Sequence, residues 1–190
     1  MANLQSLISQ WIAGQHPVEL AAAANTTADF SGSPVGVVVD LEQQTAVGPS
    51  GPTQLSGTVD HVIGSAQGDT IMGGRGPAVL EGGAGNDVMI GGTGPTQFAG
   101  GTGNDVMIGQ SGNDTVSYAA QGPVQVNLAA HMAIDGQGGR DTLVGIANVT
   151  GSPHADVIVG DAGNNVIAGG FGADILTGGG GRDTFVYNDR

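Results

Sequence analysis

Aspartate residues recur along this chain at fixed intervals, so a repeating fold could bring their carboxylates together. Seven of them lie nine or eighteen residues apart at the sixth position of a repeated nine-residue unit. They are Asp69, Asp87, Asp105 and Asp114 in the first half of the chain, and Asp156, Asp174 and Asp183 in the second. Stacked carboxylates repel one another unless a cation neutralises them, and hard divalent cations bind carboxylate and carbonyl oxygens. The spacing therefore favours a row of cation sites over a single catalytic pair of acids.

The residues around these aspartates form nine-residue units that begin with glycine. Six units run without interruption from Gly64 to Ser117, and four more run from Gly151 to Val186. An apolar residue occupies the eighth position of every unit. These residues are Ile71, Leu80, Met89, Phe98, Met107 and Val116 in the first stretch, and Ile158, Ile167, Leu176 and Phe185 in the second. A flexible glycine-rich linker would not need this period, so the pattern predicts a repeat fold with these side chains inside.

Units such as GGAGNDVMI and GGTGNDVMI resemble the calcium-binding nonapeptide G-G-x-G-x-D-x-U-x of the RTX (repeats-in-toxin, haemolysin-type) family. The resemblance covers about residues 28–187. It implies an all-β fold, namely a right-handed parallel β-roll (a β-solenoid), with calcium as the bound ion. It also implies secretion through a type I apparatus and folding triggered by external calcium. Family members usually carry a C-terminal secretion signal beyond the repeats, which we do not expect in the few residues after DTFVY.

In such a roll, the first six residues of each unit form a turn and the last three form a short strand. Two units, or eighteen residues, make one coil, so alternate turns stack at the strand spacing of roughly 4.8 Å. We expect the seven aspartates and the glycine-rich turns to supply the calcium ligands, because calcium takes about 6–8 oxygens. The predicted turn glycines are Gly64, Gly82, Gly85, Gly100, Gly103, Gly169 and Gly172.

The predicted sites are unequal on the two sides of the roll, because a full site needs aspartate from two stacked turns. One side of the first stretch pairs Asp69 with Asp87, and Asp87 with Asp105. The other side has Ala78 and Thr96 before it reaches Asp114, which leaves only a weak half-site. In the second stretch, the sequence predicts a full site from Asp156 with Asp174 and a weaker one from Asn165 with Asp183.

Composition excludes several classes of partner. The net charge of −13, with only four basic residues, argues against nucleic acid and against anionic membranes. No segment is long and apolar enough to insert into a membrane. The chain has no cysteine, so disulfides do not contribute. With 37 glycines and 4% aromatic residues, a repeat architecture is more easily built than a conventional core.

The pattern divides the chain into an N-terminal cap, residues 1–27, and a repeat domain, residues 28–190. An apolar period predicts a helix over residues 3–13 that covers the first coil. The sequence of 35–92 aligns without gaps on 122–179, which indicates an internal duplication. Two wider segments, residues 30–63 and 117–150, interrupt the nonapeptides. We expect Leu143, Ile146 and Val149 to point inward in the second one.

The sequence carries no recognisable catalytic motif. It has neither H-E-x-x-H nor G-x-S-x-G, so we expect that it is not an enzyme. The favoured hypothesis is a calcium-binding RTX β-roll module of a secreted or cell-surface bacterial protein, folded and stabilised by calcium ions. The alternatives are a self-assembling surface protein or adhesin, and a non-catalytic part of a larger exported enzyme. The apolar strand from Thr184 to Tyr187 predicts homo-association through the C-terminal end.

Overall fold

The computed structural model describes residues 26–187, and all regular secondary structure in that range is β-strand. The predicted helix over residues 3–13 lies outside the described residues. The predicted boundary of the cap falls inside the first strand, because Thr26 and Thr27 belong to β1 (Thr26–Asp29). No helix among the described residues has the length and apolar character needed to span a membrane.

The strands form two sheets, and neighbours in the chain mostly fall in different sheets. The first sheet has eight strands, and every neighbouring pair in it is parallel. Its order is β1, β5 (Val59–Ile63), β7 (Ala78–Ala84), β9 (Thr96–Thr102), β11 (Thr115–Ser117), β15 (Asn148–Thr150), β17 (Val166–Ala168) and β19 (Thr184–Val186). The all-β, parallel character predicted from the sequence is therefore confirmed in this sheet.

The second sheet has eleven strands and is interrupted by antiparallel pairs. Its order is β18 (Ile175–Thr177), β16 (Val157–Val159), β12 (Gln125–Asn127), β13 (Met132–Ile134), β14 (Arg140–Val144), β10 (Val106–Ile108), β8 (Val88–Ile90), β6 (Thr70–Met72), β2 (Val38–Asp40), β3 (Thr45–Gly48) and β4 (Gly51–Gln54). The nonapeptide strands pair in parallel with an offset of eighteen residues, as Met89 does with Ile71 and Met107.

The eighth position of the nonapeptides forms the core between the sheets. All six such side chains of the first stretch have no exposed surface, and Ile158 and Ile167 are equally buried. Leu143, Ile146 and Val149 are also buried, as predicted. Leu176 and Phe185 are only partly buried and pack against the core from one side. The inward set is thus confirmed, with weaker burial near the C-terminal end.

The two wide segments each fold into antiparallel strands, which the expectation of a purely parallel sheet did not include. Strand β2 pairs with β3 and β3 with β4, and β12 pairs with β13 and β13 with β14. Val38 of β2 and Gln125 of β12 are 87 residues apart, the offset of the sequence alignment. At that same offset, Gln44 and His131 both adopt positive φ, 54° and 56°, just before the return strand. Neither residue is glycine, so composition gave no signal for these turns.

A second departure from expectation concerns strand length. Strands β7 and β9 have seven residues each instead of three, and they continue pairing through Gly83 with Gly101 and Ala84 with Thr102. Because glycine pairs with glycine at this point, the two backbones approach closely and the pairing of β7 with β9 extends into the following turn. This extension holds the turns that carry Asp87 and Asp105 in fixed register.

Candidate metal centre

The aspartates of the first stretch form a continuous ladder between stacked turns. The backbone N–H of Asp69 donates to Asp87 Oδ1 at 2.8 Å, and the N–H of Asp87 donates to Asp105 Oδ1 at 2.9 Å. The ladder continues across the wide segment, where the N–H of Asp105 donates to Asp141 Oδ1 at 3.1 Å. Each carboxylate is thus fixed by the turn eighteen or thirty-six residues away, and the structure brings Asp69, Asp87 and Asp105 together on one side.

The other predicted aspartates make the same contact. The N–H of Asp156 donates to Asp174 Oδ1, and that of Asn165 donates to Asp183 Oδ1, both at 3.0 Å. On the opposite side of the first stretch, the N–H of Thr96 donates to Asp114 Oδ1 at 2.7 Å. On this side, Thr96 therefore makes the same backbone contact to the next turn as the aspartates do, but neither Ala78 nor Thr96 supplies a second carboxylate.

Two carboxylate oxygens in this ladder have no hydrogen-bond partner. Oδ2 of Asp87 and Oδ2 of Asp105 are both buried and unpaired, and each of these residues is only 1% exposed. A buried carboxylate oxygen without a donor carries a substantial desolvation cost. These two oxygens lie in stacked turns eighteen residues apart and both lack a donor, so they fit a site that a cation completes.

Glycine at the first position of the unit creates the space that these oxygens occupy. A Cβ on Gly82 would lie 2.2 Å from Asp87 Oδ2, and one on Gly100 would lie 2.2 Å from Asp105 Oδ2. The predicted glycines Gly64 and Gly169 stand in the same relation to Oδ2 of Asp69 and Asp174, at 2.4 Å. The remaining predicted glycines share positive φ and closeness to the backbone of the preceding turn; they are Gly85, Gly103 and Gly172.

In three of the turns both carboxylate oxygens have donors, from a serine hydroxyl and from backbone N–H groups, a feature that sequence reasoning missed. Ser65 Oγ donates to Asp69 Oδ1 at 2.9 Å, and Ser152 Oγ donates to Asp156 Oδ1 at 2.8 Å. Their backbone N–H groups also donate to the Oδ2 atoms of these aspartates. The third case, Asp114, accepts bonds from the hydroxyl and N–H of Ser111. The available signal was serine at the second or third position of these units.

Burial raises the pKa of the unpaired acids. It raises the pKa of Asp87 to about 7, a change that the Asp69 N–H opposes and the neighbouring Asp105 and Asp69 carboxylates reinforce. Burial likewise raises the pKa of Asp105, against the hydrogen bond from the Asp87 N–H and with support from the charge of Asp135. Burial therefore destabilises the negatively charged form of Asp87 and Asp105, and a bound cation would stabilise that form.

The donor set fits calcium better than a transition metal. Among residues 26–187, no group of three or more His, Cys, Asp or Glu side chains could hold a metal by itself. Each turn contributes one carboxylate, so backbone carbonyls of the glycine turns would have to complete the coordination. Calcium accepts such mixed oxygen sets, whereas zinc and copper sites are built from histidine, cysteine and several carboxylates.

Comparison with known proteins agrees with this chemistry. A family model described as the RTX calcium-binding nonapeptide repeat (4 copies) matches residues 63–98, 90–121 and 150–185. These ranges contain the whole first nonapeptide stretch and all but the last residue of the second, and they leave segment 122–149, which contains the hairpin β12 to β14, unmatched. No curated protein matches the chain.

Proposed function

Because the chain belongs to the family of RTX calcium-binding nonapeptide repeats, we propose that it is a structural calcium-binding module in which the turns of Asp87 and Asp105 hold the principal ions. The observation that carries this proposal is the pair of buried, unpaired Oδ2 atoms in adjacent stacked turns. The turns of Asp69, Asp114 and Asp156 contribute less, because serine hydroxyls and backbone N–H groups already donate to both oxygens of their carboxylates.

The residues of the chain do most of the positioning before any ion binds. The Oδ1 atoms of Asp87 and Asp105 are fixed by backbone donors, so each Oδ2 is directed to one place beside its glycine. Calcium, when bound, would neutralise the carboxylates and accept carbonyl oxygens from the turns. The glycine-rich turns have a large conformational entropy when unfolded, so binding free energy becomes folding free energy.

The module is proposed to be a right-handed parallel β-roll of a secreted or cell-surface bacterial protein that leaves the cell through a type I apparatus. The family supports this proposal, as does the alternation of parallel strands between two sheets. Extracellular calcium modules bind with dissociation constants of about 10⁻⁴–10⁻³ M, so the ion would be captured after export. We propose no catalytic activity, since the sequence has neither H-E-x-x-H nor G-x-S-x-G.

The proposal is tested by calcium titration of the full chain, followed by circular dichroism and by direct measurement of bound calcium. We expect the β spectrum to develop with calcium and to be lost in excess chelator. Asp87→Asn should reduce calcium uptake, while Asp60→Asn, at a half-buried acid outside the ladder, should not. An identical β spectrum in calcium and in chelator, with no calcium retained after dialysis, would reject this function.

A second candidate role, self-assembly, is favoured by the C-terminal strands. In the terminal strands β18 and β19, Ile175 is 64% exposed and Val186 is 41% exposed, and Tyr187 beyond them is 74% exposed. Each strand is the last of its sheet, so its outer edge has no neighbour among the described strands. Apolar edges of this kind invite pairing with another chain.

A further inference from the structure

A third buried acid lies next to the aspartate ladder but outside the nonapeptide pattern. Asp135 follows β13 at the start of the turn to β14 and is 3% exposed. That turn leads into β14, which contains Asp141, the residue whose Oδ1 accepts the Asp105 N–H at the end of the ladder. Asp135 lies in segment 122–149, which the nonapeptide family model does not match.

Asp135 presents one oxygen that is fixed and one that is unpaired. Its Oδ1 accepts the backbone N–H groups of Gln137 at 2.9 Å and Gly139 at 2.6 Å. Its Oδ2 is buried and has no hydrogen-bond partner. The fixed oxygen therefore holds the carboxylate in one orientation, with the free oxygen beside Gly139.

The free oxygen faces the turn that precedes Asp105. The point where a Cβ of Gly139 would stand is 2.6 Å from Asp135 Oδ2 and 1.9 Å from the carbonyl oxygen of Gly103. A carbonyl oxygen and a carboxylate oxygen thus approach the same small space from two different segments. Both are acceptors, so neither can satisfy the other.

Gln121 adds a third acceptor from a third segment. Its Nε2 donates to the carbonyl oxygen of Gly101 at 2.7 Å, in the same turn as Gly103. Its Oε1 is buried without a partner, and the residue is 8% exposed. The next residue, Gly122, packs against Gly136, which directly follows Asp135. The backbones that carry Gln121 and Asp135 are therefore in contact, and each of these residues has one unpaired oxygen.

No basic side chain described here neutralises this group. Arg140 is the nearest arginine in the sequence, and its Nη1 donates to Met132 Sδ at 2.9 Å on the exposed surface. The other nearby acid, Asp141, has both oxygens occupied: Oδ1 accepts from Asp105 N–H, and Oδ2 accepts from Tyr118 Oη at 2.9 Å. Among the buried unpaired side-chain oxygens of the described residues, those of Asp87 and Asp105 belong to the repeat turns, and those of Gln121 and Asp135 lie outside them.

We infer that Asp135 and Gln121, together with the carbonyl oxygen of Gly103, form a site for a hard divalent cation where the hairpin meets the repeat, distinct from the one that Asp87 and Asp105 provide. The residues offer a carboxylate, a side-chain amide oxygen and a backbone carbonyl, an oxygen set suited to calcium. The choice of calcium as the cation rests on the proposed function, whereas the residues of the site are identified from the structure independently of it. Such an ion would fasten the hairpin segment to the nonapeptide turns.

The test is Asp135→Asn in the full chain, because asparagine keeps the Oδ1 acceptor and replaces the unpaired oxygen with an NH₂ donor. In chelator, this variant should unfold at a higher denaturant concentration than wild type, since a buried charge is removed and the new donor faces the Gly103 carbonyl. In calcium, it should gain less stability than wild type and bind one ion fewer per chain. The matched control, Asp60→Asn, should leave both measurements at the wild-type values.

Terbium gives an independent reading, because it replaces calcium and its luminescence is excited through nearby tyrosine. Tyr118 is fully buried and bonds to Asp141 beside the site. Tyrosine-excited terbium emission should fall in Asp135→Asn and in Tyr118→Phe, and it should persist in Asp60→Asn.

The outcomes separate this site from the repeat sites. If Asp87→Asn lowers calcium binding while Asp135→Asn changes neither stoichiometry nor terbium emission, the junction site is rejected and the proposed function stands. If Asp135→Asn loses stability equally in calcium and chelator, Asp135 has a purely structural role and the inference is also overturned. Loss of one ion with a gain of stability in chelator supports it.

Discussion

At the scale of single residues, the state of each carboxylate distinguishes turns that need a cation from turns that do not. Asp87 and Asp105 each have an oxygen with no donor, whereas Asp69, Asp114 and Asp156 receive a serine hydroxyl. All five are buried to a similar degree, so burial alone does not separate them. The difference lies in the donors to Oδ2, which are backbone N–H groups in the three serine turns and are missing for Asp87 and Asp105.

Replacing Asp87 should affect calcium dependence, and replacing Asp114 should affect the fold itself. Asp87→Ala removes a carboxylate with an unpaired oxygen, so the calcium-induced gain in stability should shrink. Asp114→Ala removes the acceptor for Thr96 N–H and for Ser111, which should cost about 1–3 kcal/mol with or without calcium. Urea unfolding in calcium and in chelator measures both. Equal calcium responses in the two variants would contradict the distinction.

The raised pKa values predict that the calcium-free chain is more stable in mild acid than at neutral pH. Burial raises the pKa of Asp87 to about 7 and that of Asp141 to about 6, both from an ordinary value of 3.8. A group whose pKa is higher in the folded state stabilises the fold below its unfolded pKa, and this contribution is lost as pH rises through the folded pKa. Stability in chelator should therefore decrease between about pH 4 and about pH 7.

Calcium should reverse this dependence, because the ion competes with the proton for the same carboxylates. The measurement is urea unfolding at about pH 5 and about pH 7.5, in chelator and in calcium. Asp87→Asn removes one of the titrating groups and should flatten the chelator profile. A calcium-free chain that becomes more stable toward pH 7.5 would contradict the assigned environment of Asp87.

At the scale of secondary-structure elements, glycine at the head of each unit decides whether strand and turn can stack. A Cβ on Gly82 would meet Asp87 Oδ2 at 2.2 Å and the carbonyl oxygen of Gly100 at 2.6 Å. Gly76 lies in the same repeat region, and a Cβ there would meet nothing within 4 Å. The two positions form a matched pair for testing close packing of the turns.

Gly82→Ala should destabilise the chain by about 1–3 kcal/mol, the usual cost of overpacking a close contact. The same change should weaken calcium binding, because the added methyl group would displace Asp87 Oδ2. Gly76→Ala should change stability by less than about 0.5 kcal/mol, as surface substitutions generally do. Thermal unfolding in calcium compares the two variants. A tolerated Gly82→Ala would show that the turns are farther apart than described.

The elements that the sequence predicted are those fixed by a period, and the elements that it missed are fixed by contacts between distant segments. The buried Ile71, Met89 and Met107 follow from the nine-residue repeat, because each occupies the same position in its unit. The antiparallel strands of the wide segments have no such period and turn at Gln44 and His131, where positive φ is unusual. Asp135 and Gln121 were missed for the same reason, since only folding brings them to the turn of Gly103 and Asp105.

At the scale of the whole molecule, the second hairpin, β12 to β14, joins the two nonapeptide stretches in the eleven-stranded sheet, while β15 joins them in the eight-stranded one. Strand β14 pairs with β10 of the first stretch, and β12 pairs with β16 of the second. The equivalent first hairpin, β2 to β4, instead lies at one end of the same sheet. The hairpin that carries Asp135 is therefore part of the connection between the two halves, which is why a cation there would affect the stability of both.

The opposite end of the sheets presents apolar strand edges, and we expect the calcium-bound chain to associate through them. Val186 in β19 is 41% exposed at the end of its sheet, whereas Val38 in β2 is 44% exposed but has a strand on each side. Val186→Asp adds a charge to the terminal edge, so it should reduce the molar mass measured by light scattering in calcium. Val38→Asp adds the same charge at an internal strand and should leave association unchanged. The backbone N–H and C=O groups of an uncovered strand edge are satisfied by pairing with a second chain, which is why association is expected here. A wild-type chain that is monomeric in calcium, with the same molar mass as Val186→Asp, would contradict association through this edge.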